Sequence, residues 1–438
     1  MPLPREPFIT IAYADIANQL RGKGFPAADL EKRRAHGVGW TPTNIMINCF
    51  GRIPATPWGA IGDLELVPAE GGDVIIDHGD GTREHFILGD VRTLDGQPWS
   101  CCPRSFLRSA LGTLEAETGL SLIAAFEHEF HYTGARERQA DAYAIGSYRG
   151  AEAYFEMLLA TLRANGLEPD TILPEYGPRQ FEITVDPAPG LEAADRAVKL
   201  KEIARALAER FGARASFSPV VTPGIVGNGV HIHFSFRDRH GRPATYDADG
   251  PHGMAPAMAS FAAGILKYAP DYVAVTAPSV ISYERLKPNS WSAFWTNLGV
   301  MDREASLRIC PVPEHGDVDV ASRFNLEFRA ADAAGNPYLQ LGMLVHAGLA
   351  GIREKLAAPN VAQGSPAALS DAEREALGFQ ELPRTLVAAL DRMESSAAVA
   401  GWMHPDLLKA YVMHKRGEAS MVEGLDLATQ CSRYAEVY

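Results

Sequence analysis

A chain of 438 residues with 41 Lys and Arg against 54 Asp and Glu carries a formal charge of −13, which argues against a nucleic-acid surface, because phosphate binding needs clustered basic side chains. A hydrophobic content of 46% is ample for a sizeable core and excludes global disorder. The length suggests two or three domains, or one large domain with an appendage.

Met1 to Asp15 carries Arg5 and Glu6 and no long apolar run, so no secretory signal is expected. Residues 8–14, 44–50, 63–67, 74–77 and 85–88 read as short strands punctuated by Gly-Gly, Asp-Gly and Pro, which predicts a small sheet. The stretch from Asp95 to Pro103 is a natural boundary, dividing the chain into residues 1–100 and 101–438. Beyond it, residues 104–119 read as a helix closed by Gly119. Apolar residues from Leu191 to Phe211 recur at helical period, with Gly212 as the stop. Residues 382–438 are again mostly helical. The two longest uncharged runs, 215–236 and 333–352, are broken by Pro219, Pro223, His231 and His233, and by Asn336, Pro337 and His346. Both predict buried segments, and no membrane partner is expected. Five cysteines without a CxxC pair imply neither a disulfide framework nor a zinc knuckle, and predict a reduced, cytoplasmic protein.

Four segments set charge among apolar neighbours. Glu127 and Glu129 stand two apart, as do His231 and His233, and Glu327 and Arg329; Glu175 and Glu182 flank a Gly177-Pro178 turn signal. Residues i and i+2 of a strand share a face, so three of the segments each project two polar groups together. Singly, each pattern has an ordinary reading as a solvated edge, a satisfied polar pair or a surface ion pair. Together they would make a poor core, since uncompensated buried charge costs several kcal/mol apiece. Divalent cations would resolve that cost, and carboxylates with one or two imidazoles favour Mg²⁺ or Mn²⁺ over zinc. The glycines at 227 and 229 let a ligand approach the backbone, but there is no Walker A loop and no GxGxxG.

The ordered set Glu127-x-Glu129, Glu175-x6-Glu182, Gly-x-Gly-x-His231-x-His233, Ser282-Tyr-Glu-Arg285, Arg303-x-Ala-Ser-x-Arg308, Glu327-x-Arg329 and Asn336-Pro-Tyr-Leu339 resembles the glutamine synthetase superfamily. The resemblance implies an α+β fold, with a small N-terminal β-grasp-like domain and a large catalytic domain built on a curved antiparallel sheet with flanking helices. It implies ATP, two to three Mg²⁺ or Mn²⁺ ions per site, and homo-oligomers, commonly ring-stacked dodecamers with sites between subunits. Carried over, Glu129, Glu175 and Glu182 would hold one ion, and Glu127, His231 and Glu327 the second. Arg285 and Gly227 would meet the amino-acid substrate, Arg303 and Arg329 the transferred phosphoryl group, and His233, Ser235 and Arg308 the nucleotide.

Departures from the family pattern point to the amine. Six residues after Arg285, where a glutamine synthetase has a proton-accepting glutamate, stands Trp291. Fourteen residues before Asp63, near the position of an ammonium-binding aspartate, stands Cys49. Val226 replaces an asparagine near the substrate amino group, and Asp302 one before Arg303. The pattern is similar to the branch that makes γ-glutamyl amides of amines and polyamines, with Trp291 lining a pocket for a larger amine. Ammonia-dependent glutamine synthesis and a silent binding or structural relative are the other readings.

Overall fold

In the computed structural model, which describes residues 5–137, 142–288, 292–313, 315–362 and 364–438, alternation of apolar residues builds the first sheet. Its strands are β1 (Phe8–Ala14), β2 (Leu20–Pro26), β3 (Val38–Trp40), β4 (Leu64–Asp77) and β5 (Arg83–Arg92), in the order β2-β1-β5-β4-β3. β1 and β5 run parallel and the other pairs antiparallel. Ile9, Ile11 and Tyr13 of β1 point inward with Ile87 and Val91 of β5.

Three expectations change here. Residues 44–50 do not form a strand: a 3-10 helix spans Pro42–Met46. The Asn48 side-chain oxygen then accepts the backbone N–H groups of Phe50 and Arg52 at 3.1 and 3.0 Å. Ile45 and Met46 are buried, so the apolar signal was real, but asparagine bonding to its own backbone made a turn of it. The runs 63–67 and 74–77 are one strand, β4, whose register shifts between Pro68 and Asp73. The Gly71-Gly72 break is thus a bulge rather than an end. β2 and β3 escaped notice because β2 is a polar, largely exposed edge strand and β3 has three residues.

The second sheet positions the site. Its strands are β6 (Ser121–Tyr132), β7 (Pro169–Pro174), β8 (Gln180–Val185), β9 (Ala188–Pro189), β10 (Ala215–Ser216), β11 (Val230–Arg237), β12 (Leu298–Val300), β13 (Leu307–Ile309) and β14 (Leu326–Phe328). Among the described residues their order is β12-β13-β14-β11-β6-β8-β7, with β9 and β10 also paired to β6. Among these strands only β12 and β13 pair in parallel. Along β6, Leu122, Ala124, Phe126, His128 and Phe130 are buried, while Ala125, Glu127 and Glu129 are half-buried on the opposite face. The helix Gly190–Arg210 packs on β6, and the helices Pro256–Thr276 and Pro337–Arg353 pack on each other. The first of these agrees with the period read from 191–211, and the helix Pro103–Thr118 closes on a left-handed Gly119 as expected. Helices also fill the chain after residue 382. All five cysteines are buried free thiols. No helix among the described residues is long and apolar enough to cross a membrane.

One buried ion network ties the two sheets together. Arg104, on the helix Pro103–Thr118, donates to Asp195 at 2.8 and 2.9 Å and to Asp90 of β5 at 3.1 Å. Arg108 completes Asp90 at 2.8 Å, and the Tyr338 hydroxyl donates to Asp195 at 2.6 Å. Removing one partner of such a buried set strands the remaining charges. Arg104→Leu is therefore expected to lower the unfolding free energy by about 3–5 kcal/mol, read from equilibrium denaturation; a loss below about 1 kcal/mol, the level of an exposed pair, contradicts the role.

Candidate active site

Strand register builds the cluster before any side chain is considered. β11 sets His231 opposite Glu127 of β6, β8 sets Glu182 opposite Glu129, and β14 sets Glu327 opposite both His233 of β11 and Arg308 of β13. Directly opposed residues hold their Cβ atoms about 4.5–5.5 Å apart, so five adjacent strands converge on one polar patch. Glu175 joins from the turn after β7, where its N–H donates to the Gln180 carbonyl at 2.8 Å.

Ligand atoms of Glu129, Glu175 and Glu182 lie within 4.8 Å of one another, as do those of Glu127, His233 and Glu327, and those of Glu127, Glu182 and His231. The first set is the one expected for one ion. In the second, His233 meets Glu127 Oε2 through Nε2 at 3.1 Å, and His231, expected with Glu127 and Glu327, stands close to both. His231 bonds Glu127 Oε1 at 2.9 Å and stays 3.5 Å from Glu327 Oε1. The register sets His231 directly opposite Glu127 and His233 directly opposite Glu327, so both histidines border the patch.

The two halves of the cluster differ in charge balance. Burial pushes the Glu182 carboxyl up to about 11 and adjoining Glu127 pushes the same way; burial and Glu129 push Glu175 up to about 7. For Glu127, burial acts upward too, but hydrogen bonds from His231 and His233 prevail and hold it well below the carboxylate range. Glu327 is likewise held near 2 against burial, by His231 and Arg329. Burial acts to lower the His233 imidazole, but contacts with Cys310 and Glu127 hold it well above its ordinary value. Arg308 Nη1 donates to Glu327 Oε2 at 2.8 Å, and Arg329 Nη1 donates to Glu327 Oε1. A surplus of negative charge on the Glu175–Glu182 side is what a divalent cation with oxygen ligands would relieve.

The remaining expected residues fall around this patch. Arg285 is buried, its Nη2 donating to the Ala331 carbonyl at 2.5 Å, while its Nε has no hydrogen-bond partner among the described residues. Side chains at Gly227 or Gly229 would come within 3.1 Å of Arg285, so these glycines make room for it. The Gly227 carbonyl already accepts from Gln180 Nε2 at 3.0 Å. Arg303 accepts the Arg329 Nε–H on its carbonyl at 3.0 Å and borders an open cavity of about 570 Å³ with Met301 and Asp302. A second cavity, of about 580 Å³, is lined by Ile123, Ala125, Glu127, His233, Ser235 and Asn325; it brings His233 and Ser235 together. Arg308 is held to Glu327 and does not line it. Trp291 lies outside the described residues. Cys49 packs instead in a small core with Ala17, Val220, Ile281 and Tyr438.

Sequence reasoning missed Asn325, whose Oδ1 meets His233 Nδ1 at 3.0 Å, and Cys310, whose Sγ is 3.7 Å from both His233 and Glu327. Asn325 stands two before Glu327 and Cys310 two after Arg308, so the same i, i+2 rule would have found both.

Residues 100–434 match the family model for the glutamine synthetase catalytic domain, and residues 5–99 that for the glutamine synthetase N-terminal domain. The chain belongs to the glutamine synthetase family. It is a carbon–nitrogen ligase of that family, whose members work with ATP and divalent metals. It is 33% identical over 431 residues to the gamma-glutamylpolyamine synthetase GlnA3 of Streptomyces coelicolor, covering 95% of this chain and 91% of that one. Identity to the type-1 glutamine synthetase 1 of Dictyostelium discoideum is 27%, over 99% of this chain and 90% of the other. A crystal structure of a novel glutamine synthase homolog superposes with a TM-score of 0.91 at 37% identity, over 100% of both chains. A GmaS/ADP complex superposes at 0.82 with 25% identity, over 96% of this chain and 95% of that one.

The raised carboxyls carry a prediction about proton balance. Burial and like charge raise Glu182 to about 11 and Glu175 to about 7, which favours bound protons near pH 7, while a metal ligand must be ionised. Titrating Mn²⁺ into the metal-free ligase at pH 7 is expected to release about one to two protons per protein, measured by calorimetry in buffers of different ionisation enthalpy. Release should shrink as pH rises through the folded-state values, and a buffer-independent heat contradicts the protonation assigned.

Proposed function

We propose that this ligase joins the γ-carboxylate of glutamate to an organic amine through a γ-glutamyl phosphate formed from ATP. The observation that carries the phosphoryl-transfer reading is the convergence of Glu129, Glu175 and Glu182 on one side and of Glu127, Glu327, His231 and His233 on the other, beside the guanidinium groups of Arg308 and Arg329. The donor set is rich in oxygen with two imidazoles and fits Mg²⁺ or Mn²⁺. Divalent ions held there would neutralise charge on the phosphoryl oxygens.

A carboxylate cannot be amidated directly at neutral pH, because oxide is a poor leaving group. In the proposed route a γ-carboxylate oxygen attacks the γ-phosphorus of ATP and ADP leaves. The amine nitrogen then attacks the acyl carbon and phosphate departs. Arg285 orients the acceptor by its carboxylate, a fork against a fork. Arg303 and Arg329 stabilise charge on the transferred group. His233 and Ser235 receive the nucleotide in the cavity that they line, and Arg308 acts there by fixing Glu327.

Use of an amine larger than ammonia is supported by the tryptophan at 291 and by the similarity to a gamma-glutamylpolyamine synthetase. The proposed organisation is an N-terminal unit of residues 1–100, a catalytic unit of 101–438, and a ring-stacked homo-oligomer.

A coupled ADP-release assay with glutamate and a panel of alkyl, aryl and polyamines tests the reading. Several-fold faster release with an organic amine than with ammonia is expected; ammonia outperforming every amine would sink it. Glu327→Gln is expected to lower turnover by at least about 100-fold, since second-site charge and ligation are lost together, with an unchanged far-ultraviolet dichroism spectrum. Retained activity would refute its place in the site.

A further inference from the structure

One side-chain amide joins the turn that carries Glu175 to the loop that carries Gly227. Gln180 is buried and begins β8 two residues before Glu182, so the two side chains share a face of the strand. Its Oε1 accepts the Gly177 N–H at 2.7 Å, and its Nε2 donates to the Gly227 carbonyl at 3.0 Å and to Asn228 Oδ1 at 2.9 Å. The Gln180 backbone closes the turn as well. Its carbonyl accepts the Glu175 N–H at 2.8 Å, and its N–H donates to the Gly177 carbonyl at 3.2 Å. Arg179, just before it, holds a left-handed φ of +57°, a conformation that costs a residue with a side chain and that the surrounding bonds must fix.

The loop on the far side of the amide reaches the same carboxylates by a second route. Gly229 donates its N–H to Glu129 Oε2 at 2.6 Å, and the Glu129 N–H donates to the Gly229 carbonyl at 3.2 Å. Asn228 is anchored from behind, its Nδ2 donating to the Ser218 carbonyl and its N–H to the Pro219 carbonyl, each at 2.8 Å. Loop 227–229 thus meets Glu129 directly and the Glu175 turn through Gln180. A carboxamide offers acceptor and donors on one planar end, whereas a carboxylate would set oxygen against the oxygens of Gly227 and Asn228. There is little slack: a Cβ at Gly177 would lie 2.5 Å from Gln180 Oε1, and one at Gly227 2.5 Å from the Pro219 carbonyl.

We propose that Gln180 is a positioning residue that couples the acceptor's subsite at Gly227 to the ion grouping Glu129–Glu175–Glu182. It acts through the Gly227 carbonyl, whose second lone pair can take the acceptor's ammonium group, and through the turn that sets Glu175. One rigid group holding both ends fixes the spacing between acceptor and ion, which positioning for transfer demands. Acceptor and ion therefore bind with positive coupling, each tightening the other. The cavity of His233 and Ser235 stands apart from this link. On β6, His131 opposite Gln180 and Glu127 at the cavity are about 13 Å apart, at about 3.3 Å per residue. The inference rests on the proposed function in taking glutamate as the acceptor at Gly227.

The test measures Mn²⁺ affinity by electron paramagnetic resonance, with and without glutamate, and KM values at saturating Mn²⁺. In the unaltered ligase glutamate is expected to lower the Kd of the first Mn²⁺ bound by about fivefold. Gln180→Met keeps the length of the side chain and removes its donors and acceptor. There the tightening should fall below about twofold, and KM for glutamate should rise about tenfold, as for a carbonyl left unpaired. KM for ATP should stay within about twofold, as expected of an independent site. No tightening in the unaltered ligase, equal tightening in both proteins, or a parallel rise for ATP overturns the inference. Should Gln180→Met fail to fold, Gly177→Ala answers the same question from the turn. Its methyl meets Gln180 first, so KM for glutamate must rise by about threefold or more, and an unchanged value overturns the inference. Should the unaltered chain bind no glutamate, the proposed function fails. The inference then requires Gln180→Met to raise the Kd of Mn²⁺ alone by about tenfold, and an unchanged Kd overturns it.

Discussion

Like-charge crowding on one face of a sheet is the constraint on which this structure depends. Glu127, Glu129, Glu175, Glu182 and Glu327 converge from four strands or strand ends, a placement that folding alone would disfavour. Half of the cluster is neutralised within the chain: Glu127 by His231 and His233, Glu327 by Arg308 and Arg329. The other half is not, and burial pushes Glu182 and Glu175 upward as a result. Sites that must stabilise charge arriving from outside are built in this unbalanced way. The chain stores an electrostatic deficit which divalent cations and substrate would satisfy.

Such a deficit needs a rigid frame, because cations in the right place gain only if the carboxylates cannot spread apart. The helices behind the second sheet supply one face of that frame, with Phe126, His128 and Phe130 of β6 buried under them. Arg104 supplies another restraint, joining Asp90 of the first sheet to Asp195 of the helix that packs on β6. The patch also has direction. His233, Ser235 and Asn325 border a cavity at one end, and Tyr143 and Tyr176 stand at the other beside Glu175.

Much of this was legible in the sequence, for identifiable reasons. The two-residue spacing of Glu127 with Glu129 and of His231 with His233 declares a shared strand face whatever the fold. The period of 191–211 declares a helix for equally local reasons. That His231 and His233 meet Glu127 and Glu327 together depends on which residue of β14 faces which residue of β11, a property of pairing between segments about 90 positions apart. Residues 44–50 went wrong for a different reason, since one asparagine side chain outcompeted the ladder.

The central claim is that this acidic patch activates a carboxylate by phosphorylating it. Glutamate labelled with ¹⁸O in its γ-carboxylate, incubated with ATP, Mg²⁺, an accepted amine and the ligase, tests it directly. Phosphoryl transfer to the carboxylate requires one ¹⁸O atom to leave with each inorganic phosphate released, read by mass spectrometry; phosphate that carries no label contradicts the account.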